Sequence, residues 1–290
     1  MSGKGILLCA AGAAAGAAVY GAAGRKKAMH TDGTGKTVLI TGASGGIGKE
    51  LAFIFAEHHF DLVLVARNEE KLREVQIELE NSFGVSVTLI PKDLTDEKAP
   101  LELYDEISSR GLVIDQLVNN AGAGRVGTVT DTDASVMENL IQMNVTAVTV
   151  LCRLFGQDMV RRGSGKIMNV ASIVAFTPDP YFNVYGPSKS YVLALTEAMR
   201  GELKGTGVTV TALCPGPTKT NWCASAGKKD SVNAVSAEKV AKAGFAGMQE
   251  GKLVVIPAAD CVAYRIFMPL LPAALQTEIV ALWQKSLIRA

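Results

Sequence analysis

The sequence predicts a doubly wound α/β fold: one parallel sheet with helices on both faces, in a single domain preceded by an apolar N-terminal extension. Three observations predict it. From Lys36 to Ile256, short apolar, β-branched runs alternate with longer segments of helical spacing. The short runs are nearly continuous in apolar character rather than alternating, as in strands buried on both faces. A glycine-rich run sits where the first strand turns into the first helix.

The elements follow in order. Residues 37–41 (TVLIT) read as the first strand and 49–58 as the first helix. Residues 62–65 form the second strand, 69–81 a charged amphipathic helix, 85–90 the third strand and 96–110 a helix. A fourth strand at 116–118 leads to one long helix at 134–162, then a fifth strand at 167–171 and a helix at 184–204. A strand at 208–213, a loop, a helix near 237–249 and a last strand at 253–256 complete the alternation. Right-handed crossovers between parallel strands account for such an order.

Composition narrows the function. A chain of 290 residues with 48% hydrophobic and 20% charged residues buries a sizeable core. A net charge of +1 gives no basic field, so nucleic acid is not an expected partner. Cys9, Cys152, Cys214, Cys223 and Cys261 are odd in number, scattered and without a CxxC pair, which argues against a disulfide framework or a structural zinc site. Reduced thiols in a cytoplasmic setting are the simplest account. The histidines are His30, His58 and His59, and the adjacent pair cannot share one helical face, so no metal is expected.

The stretch from Gly5 to Gly24 carries no charge, with Lys4 before it and Arg25, Lys26 and Lys27 after it. Twenty helical residues span about 30 Å, the thickness of a bilayer core. Its large apolar residues are few, however, and most of it is Ala and Gly. Membrane association through this stretch would tether the domain to the cytoplasmic face; a frayed tail and a cleaved targeting segment are the alternatives. Residues 28–36 read as a linker, so the extension takes up 1–35 and the domain 36–290. The apolar segment 264–288, interrupted by Pro269 and Pro272, has four readings: a cover over the substrate site, a subunit contact, a membrane-surface segment, or plain packing onto the domain.

Chemistry concentrates at the strand ends. Thr41-Gly42-Ala43-Ser44-Gly45-Gly46-Ile47-Gly48 lies between strand and helix, where glycines let backbone approach a pyrophosphate and a helix N-terminus offers free N–H donors. Past the second strand, where an acid would hold the 2′-hydroxyl of NAD, the chain has Ala66, Arg67 and Asn68. No carboxylate repels a 2′-phosphate there, and the Arg67 guanidinium offers a forked, charge-assisted contact. With Asn68 and Ser44 as helpers, this predicts NADP(H) over NAD(H).

These residues resemble the short-chain dehydrogenase/reductase family. The resemblance is carried by the glycine pattern, Asn119-Asn120-Ala121-Gly122, Ser172, Tyr185-Gly186-Pro187-Ser188-Lys189 and Pro215-Gly216-Pro217-Thr218, in the family's order from Lys36 to Ile256. The surroundings are most similar to the bacterial branch of its broadly assigned oxidoreductases. The implied Rossmann fold agrees with the element order. The residues lead to the same chemistry. Tyr185 and Lys189 stand one helical turn apart, and a nearby ammonium favours the phenolate and lowers its pKa. Tyr185 then serves as acid/base, and Ser172 holds the carbonyl oxygen. The resemblance implies that Asn144 supports a water linking Lys189 to solvent, and that Asp93 and Leu94 contact the adenine. It further implies that Asn120, Ala121 and Gly122 floor the cofactor, bracing the sheet being the plainer alternative. Thr220 would hold the nicotinamide carboxamide beside the Cys214 or Gly216 carbonyl. Residues 173–176, Phe182, Val184, Pro217 and Trp222 would surround a hydrophobic carbonyl or alcohol substrate.

The expected protein is thus an NADP(H)-dependent oxidoreductase acting on CH–OH groups, with a homo-dimer or tetramer implied by the family's habit of pairing its two long helices. A non-catalytic NADP-binding redox sensor is the rival. Retention of Tyr185, Lys189, Ser172 and Asn144 together argues against it, and a membrane scaffold is weaker still.

Overall fold

The computed structural model describes residues 31–288 except Asn183 and Asp230. The expectation for Gly5 to Gly24 falls outside them. Strands β1 (Thr37–Thr41), β2 (Asp61–Ala66), β3 (Val87–Pro91), β4 (Gln116–Asn119), β5 (Gly165–Val170), β6 (Val208–Leu213) and β9 (Val254–Val255) form one seven-stranded sheet. Every neighbouring pair is parallel, in the order β3-β2-β1-β4-β5-β6-β9. The order reverses between β1 and β4, which opens a crevice at the carboxyl ends of the strands.

The strands are apolar throughout because both faces are covered. Val38, Ile40, Leu62 and Leu64 turn to one side, toward α1 (Gly46–Glu57), α2 (Glu69–Phe83) and α8 (Ala237–Gln249). Leu39, Val63 and Val65 turn to the other, toward α3 (Ala99–Ser109), α5 (Val148–Arg162) and α6 (Tyr185–Glu202). Helix boundaries follow local chemistry. Asn68 caps α2 by accepting a hydrogen bond from the Lys71 N–H, and Gly84 ends that helix at φ 67°.

One expectation needed refinement and another correction. The helix expected over 134–162 runs without interruption, as α4 (Ala134–Ile141), a π-helical segment Gln142–Ala147, and α5. The widened turn accommodates one extra residue and places Asn144 inward, fully buried. The segment between β6 and α8, read as loop, holds a short parallel pair, β7 (Thr218–Lys219) with β8 (Val235–Ser236), and a one-turn helix α7 (Trp222–Ser225). The C-terminal segment forms α9 (Ala259–Phe267), a 3-10 turn at Met268–Leu270 and α10 (Ala273–Leu287). Pro269 starts that turn and Pro272 precedes α10, both places where a missing N–H costs little. Among the described residues no helix is long and apolar enough to cross a membrane.

Candidate active site

Parallel strands deliver the ends of β1, β4, β5 and β6 to one edge, where a cleft of about 390 Å³ opens. It is lined at one end by Gly42, Ser44, Gly46 and Ile47, in its middle by Asn120, Ala121 and Gly122, and beyond by Ser172, Tyr185, Lys189, Pro215, Gly216, Thr218 and Thr220. Fourteen of the predicted site residues therefore converge on one surface.

The glycine loop suits an anion. Gly42 takes φ +67°, and a Cβ there would stand 2.8 Å from the Asn120 amide and 2.9 Å from Ala121 Cα. At Gly45 a Cβ would meet nothing within 4 Å, and no side chain caps the head of α1. Its first N–H groups thus keep their donors at the positive end of the helix dipole, with no acid in the first turn. Gly48 does not line the cleft. A Cβ there would lie 2.3 Å from the Gly42 carbonyl oxygen, so its role is close packing of helix on strand.

Asn120 combines both readings offered for it. Its Nδ2 donates to the carbonyls of Thr41 (2.9 Å) and Gly42 (3.2 Å), bolting β1 to β4 at the crevice that it also lines. Asn144 lies behind the floor. Its Oδ1 accepts from the Ala123 N–H at 3.0 Å, while its Nδ2 donates to the Ala123 carbonyl at 2.8 Å and to Ser188 Oγ at 3.0 Å. A Cβ at Gly122 would stand 3.2 Å from Lys189 Nζ and 3.4 Å from Asn144 Oδ1, so both polar atoms lie close to the glycine.

Tyr185 opens α6, and its hydroxyl shares a side-chain hydrogen bond with Ser172. Lys189 is buried, donates to the Val170 carbonyl at 2.7 Å, and holds Nζ 5.7 Å from the Tyr185 ring centroid. Burial pushes the phenol above its ordinary value; the Ser172 bond pulls it down, and Asp179 and Cys223 add to the rise. The lowering expected from Lys189 is not among these influences; the Ser172 bond is the one that opposes the rise. Lys189 itself is pushed down to about 8, first by burial.

Arg67 is exposed at the end of β2, with its guanidinium 3.8 Å from the Asp93 carboxylate. Asp93 also accepts from the N–H and hydroxyl of Thr95, and Leu94 is buried. The Asn68 side chain is engaged as the cap of α2. None of these four lines the cleft, although Lys71, one turn into α2, does. Thr220 Oγ1 accepts from the Trp222 N–H, and the Thr220 methyl faces Gly46.

Of the expected substrate surround, Ile173, Val174, Phe182, Pro217 and Trp222 line the cleft. Ala175, Phe176 and Val184 do not. Sequence reasoning missed Asp179, Lys228, Trp283, Gln284 and Leu287, of which the last three come from α10. The C-terminal segment thus lines one end of the cleft, where one of its four readings would put it. The available signal was Asp179 between two prolines and a tryptophan-containing amphipathic helix after Pro272.

Comparison with known proteins accords with this geometry. A family model described as short chain dehydrogenase matches residues 36–231. The probable oxidoreductase EphD of Mycobacterium tuberculosis is 34% identical over 191 residues, 66% of this chain but 32% of that protein, so the chain matches about a third of that relative's length. A short-chain dehydrogenase from Sphingobium yanoikuyae in complex with NADPH superposes with TM-score 0.72 at 32% identity, covering 86% of this chain and 94% of the other. The bulky-bulky ketone specific alcohol dehydrogenase from Comamonas testosteroni gives TM-score 0.70 at 30% identity, covering 86% and 92%. This chain belongs to the short-chain dehydrogenase/reductase family.

Proposed function

We propose that the chain is an NADPH-dependent reductase of bulky, apolar carbonyl compounds. The observation that carries this is the convergence of Tyr185, Ser172 and Lys189 beside an uncapped glycine-loop helix within one cleft. When bound, the nicotinamide supplies the hydride for reduction and takes it back in oxidation. Ser172 and Tyr185 hold the carbonyl oxygen, and Tyr185 gives its proton to the developing alkoxide. Burial favours the protonated phenol, the form that reduction consumes. Lys189 and Asn144, each close to Gly122, return the proton from solvent.

Preference for NADPH rests on Arg67 and Lys71. The Arg67–Asp93 pair is exposed and long, worth about 0–1 kcal/mol, and is readily given up for a phosphate. The similar Sphingobium enzyme was solved with NADPH. An aromatic wall of Phe182, Trp222 and Trp283 supports the bulky substrate, as does likeness to the Comamonas enzyme. The exposed Val160 on α5 and Tyr191 on α6 support the homo-dimer or tetramer that the family's helix pairing implies.

Incubation with NADPH and a ketone panel tests the reading through matched loss of NADPH and carbonyl. Tyr185→Phe should reduce turnover by at least ~10²-fold while leaving NADPH binding intact. A redox sensor would bind NADPH, consume no carbonyl, and be indifferent to that substitution. Arg67→Ala should weaken NADPH by about tenfold or more, the loss of a charged contact, and leave NADH nearly unchanged. Equal effects on both cofactors would refute the assignment.

A further inference from the structure

At the outer end of the cleft, a lysine is held in an unusual setting. Lys228 Nζ lies 4.8 Å from the ring centroid of Phe182 and 4.8 Å from that of Trp283. It donates to Gln284 Oε1 at 2.7 Å, and Gln284 Nε2 donates in turn to Asp179 Oδ1 at 2.5 Å. Gln284 is 1% exposed and Asp179 6%. All five residues line the cleft that holds Tyr185. The Phe182 ring also meets the Tyr185 ring edge-on, with centroids 5.8 Å apart, so one aromatic ring links the ammonium to the Tyr185 ring.

An ammonium carries three N–H donors, and Gln284 takes one. The two aromatic faces attract the charge without accepting the remaining hydrogens as an oxygen does. We propose that Lys228 is a substrate-binding residue whose ammonium takes a neutral oxygen acceptor (a hydroxyl, ether or second carbonyl) carried by the substrate away from the carbon that is reduced. This rests on the reading of the cleft as a carbonyl-reductase site and names its substrate class further. The body of the substrate lies against Trp222 and Phe182, whose rings are stacked at 6.1 Å and 23°. A neutral acceptor fits better than an anion because the Asp179 carboxylate, reached through Gln284, already balances the cation. A second anion would leave that carboxylate uncompensated in a low-dielectric pocket. Burial also depresses the Lys228 pKa, as expected for a cation short of polar partners.

The chain has two tryptophans, Trp222 and Trp283, and both line this cleft. Their fluorescence therefore reports occupancy without turnover. The test titrates the NADP⁺-saturated protein with three aryl ketones that differ in one remote group: hydroxyl, methyl or carboxylate. The wild type should bind the hydroxyl compound tightest. Lys228→Met should weaken that ligand by about tenfold or more, leave the methyl compound unchanged, and be partly rescued by Lys228→Arg. Should the methionine variant unfold, Lys228→Gln takes its place in the same titration. Equal weakening of the hydroxyl and methyl ligands overturns the proposal and leaves Lys228 as a clamp for α10. Tightest binding of the carboxylate, or no quenching by any of the three, also overturns it. Discrimination in fluorescence with no ketone reduced by NADPH would sink the reductase reading and keep the subsite. Turnover with the same KM for all three ketones would do the reverse.

Discussion

Asp179 reaches the head of α6 because Gly186 has no side chain: a Cβ there would sit 2.4 Å from Asp179 Cβ. Burial pushes this carboxyl up to about 6, while Gln284 and Lys228 draw it back. At neutral pH it is ionised, and its charge opposes ionisation of Tyr185. The groups around that phenol are Ser172 from the end of β5, Asp179 from the loop, Cys223 from α7 and Lys189 from its own helix. Asp179→Asn keeps an acceptor for Gln284 and removes the charge. The alkaline limb of NADPH-dependent turnover should then move to lower pH, because reduction needs the protonated phenol; an unmoved limb would exclude Asp179 as a tuning group. Stability supplies a second readout. The folded pKa lies above the ordinary 3.8, so the folded state holds this proton more tightly, and the benefit fades as pH rises from about 4 through 6. The asparagine variant should therefore gain stability at pH 7 relative to pH 4, by at most about 3 kcal/mol. Tyr185, Lys189 and Ser172 were legible in the sequence because their spacing matches a shared pattern. Asp179, Lys228 and Gln284 were not, since the chain brings them together from three separate segments with no common period.

At the scale of elements, the alternation of strands and helices was readable because burial on both faces writes itself as continuous apolar runs. Val38 and Leu39 illustrate this: adjacent residues on opposite faces, both with no exposed surface. The π-helical stretch within the long helix was not readable. Helical spacing continues through Gln142–Ala147, and what selects the π-helical turn is a partner outside the helix, the Ala123 backbone that Asn144 pairs with twice. The β7–β8 pair has two residues a strand, too short to show a period. Asn144 thus joins architecture to chemistry, since its Oδ1 also stands close to Gly122, as Lys189 Nζ does. Asn144→Ala would leave the Ala123 N–H and carbonyl without their partner, costing about 1–3 kcal/mol. The melting temperature should fall by about 2–4 °C for each kcal/mol lost. Turnover should fall as well, with NADPH affinity the less affected because the hydrogen bonds of Asn144 go to Ala123 and Ser188 and not to the glycine loop. A variant with full turnover and a lowered melting point would confine Asn144 to a structural role.

For the whole molecule, the two ends of one cleft are built from different parts of the chain. Residues 36–231, which match the family model, supply the glycine loop and the Tyr185 site. The far wall of the chamber comes from beyond that stretch, from Trp283, Gln284 and Leu287 on α10. This helix adds little to the core: only Val280 and Gln284 among its residues are buried, while Leu275, Ile279 and Leu282 are exposed. Its hold on the domain is local, through Gln284 to Asp179 and Lys228 and through the Lys229 N–H to the Leu287 carbonyl. A helix that buries so few side chains is a wall of the site more than a support of the fold. Ending the chain at Leu271 should therefore keep the sheet folded and preserve thermal stabilisation by NADPH, which reads cofactor binding independently of turnover. It should also erase discrimination by substrate size. Measured as kcat/KM over ketones of increasing bulk, the truncated protein should lose its preference for the larger members, because Trp283 and Leu287 no longer meet them. If NADPH stabilisation disappears too, α10 belongs to the folding unit, and the division of the cleft into an inherited cofactor end and an added substrate wall is wrong.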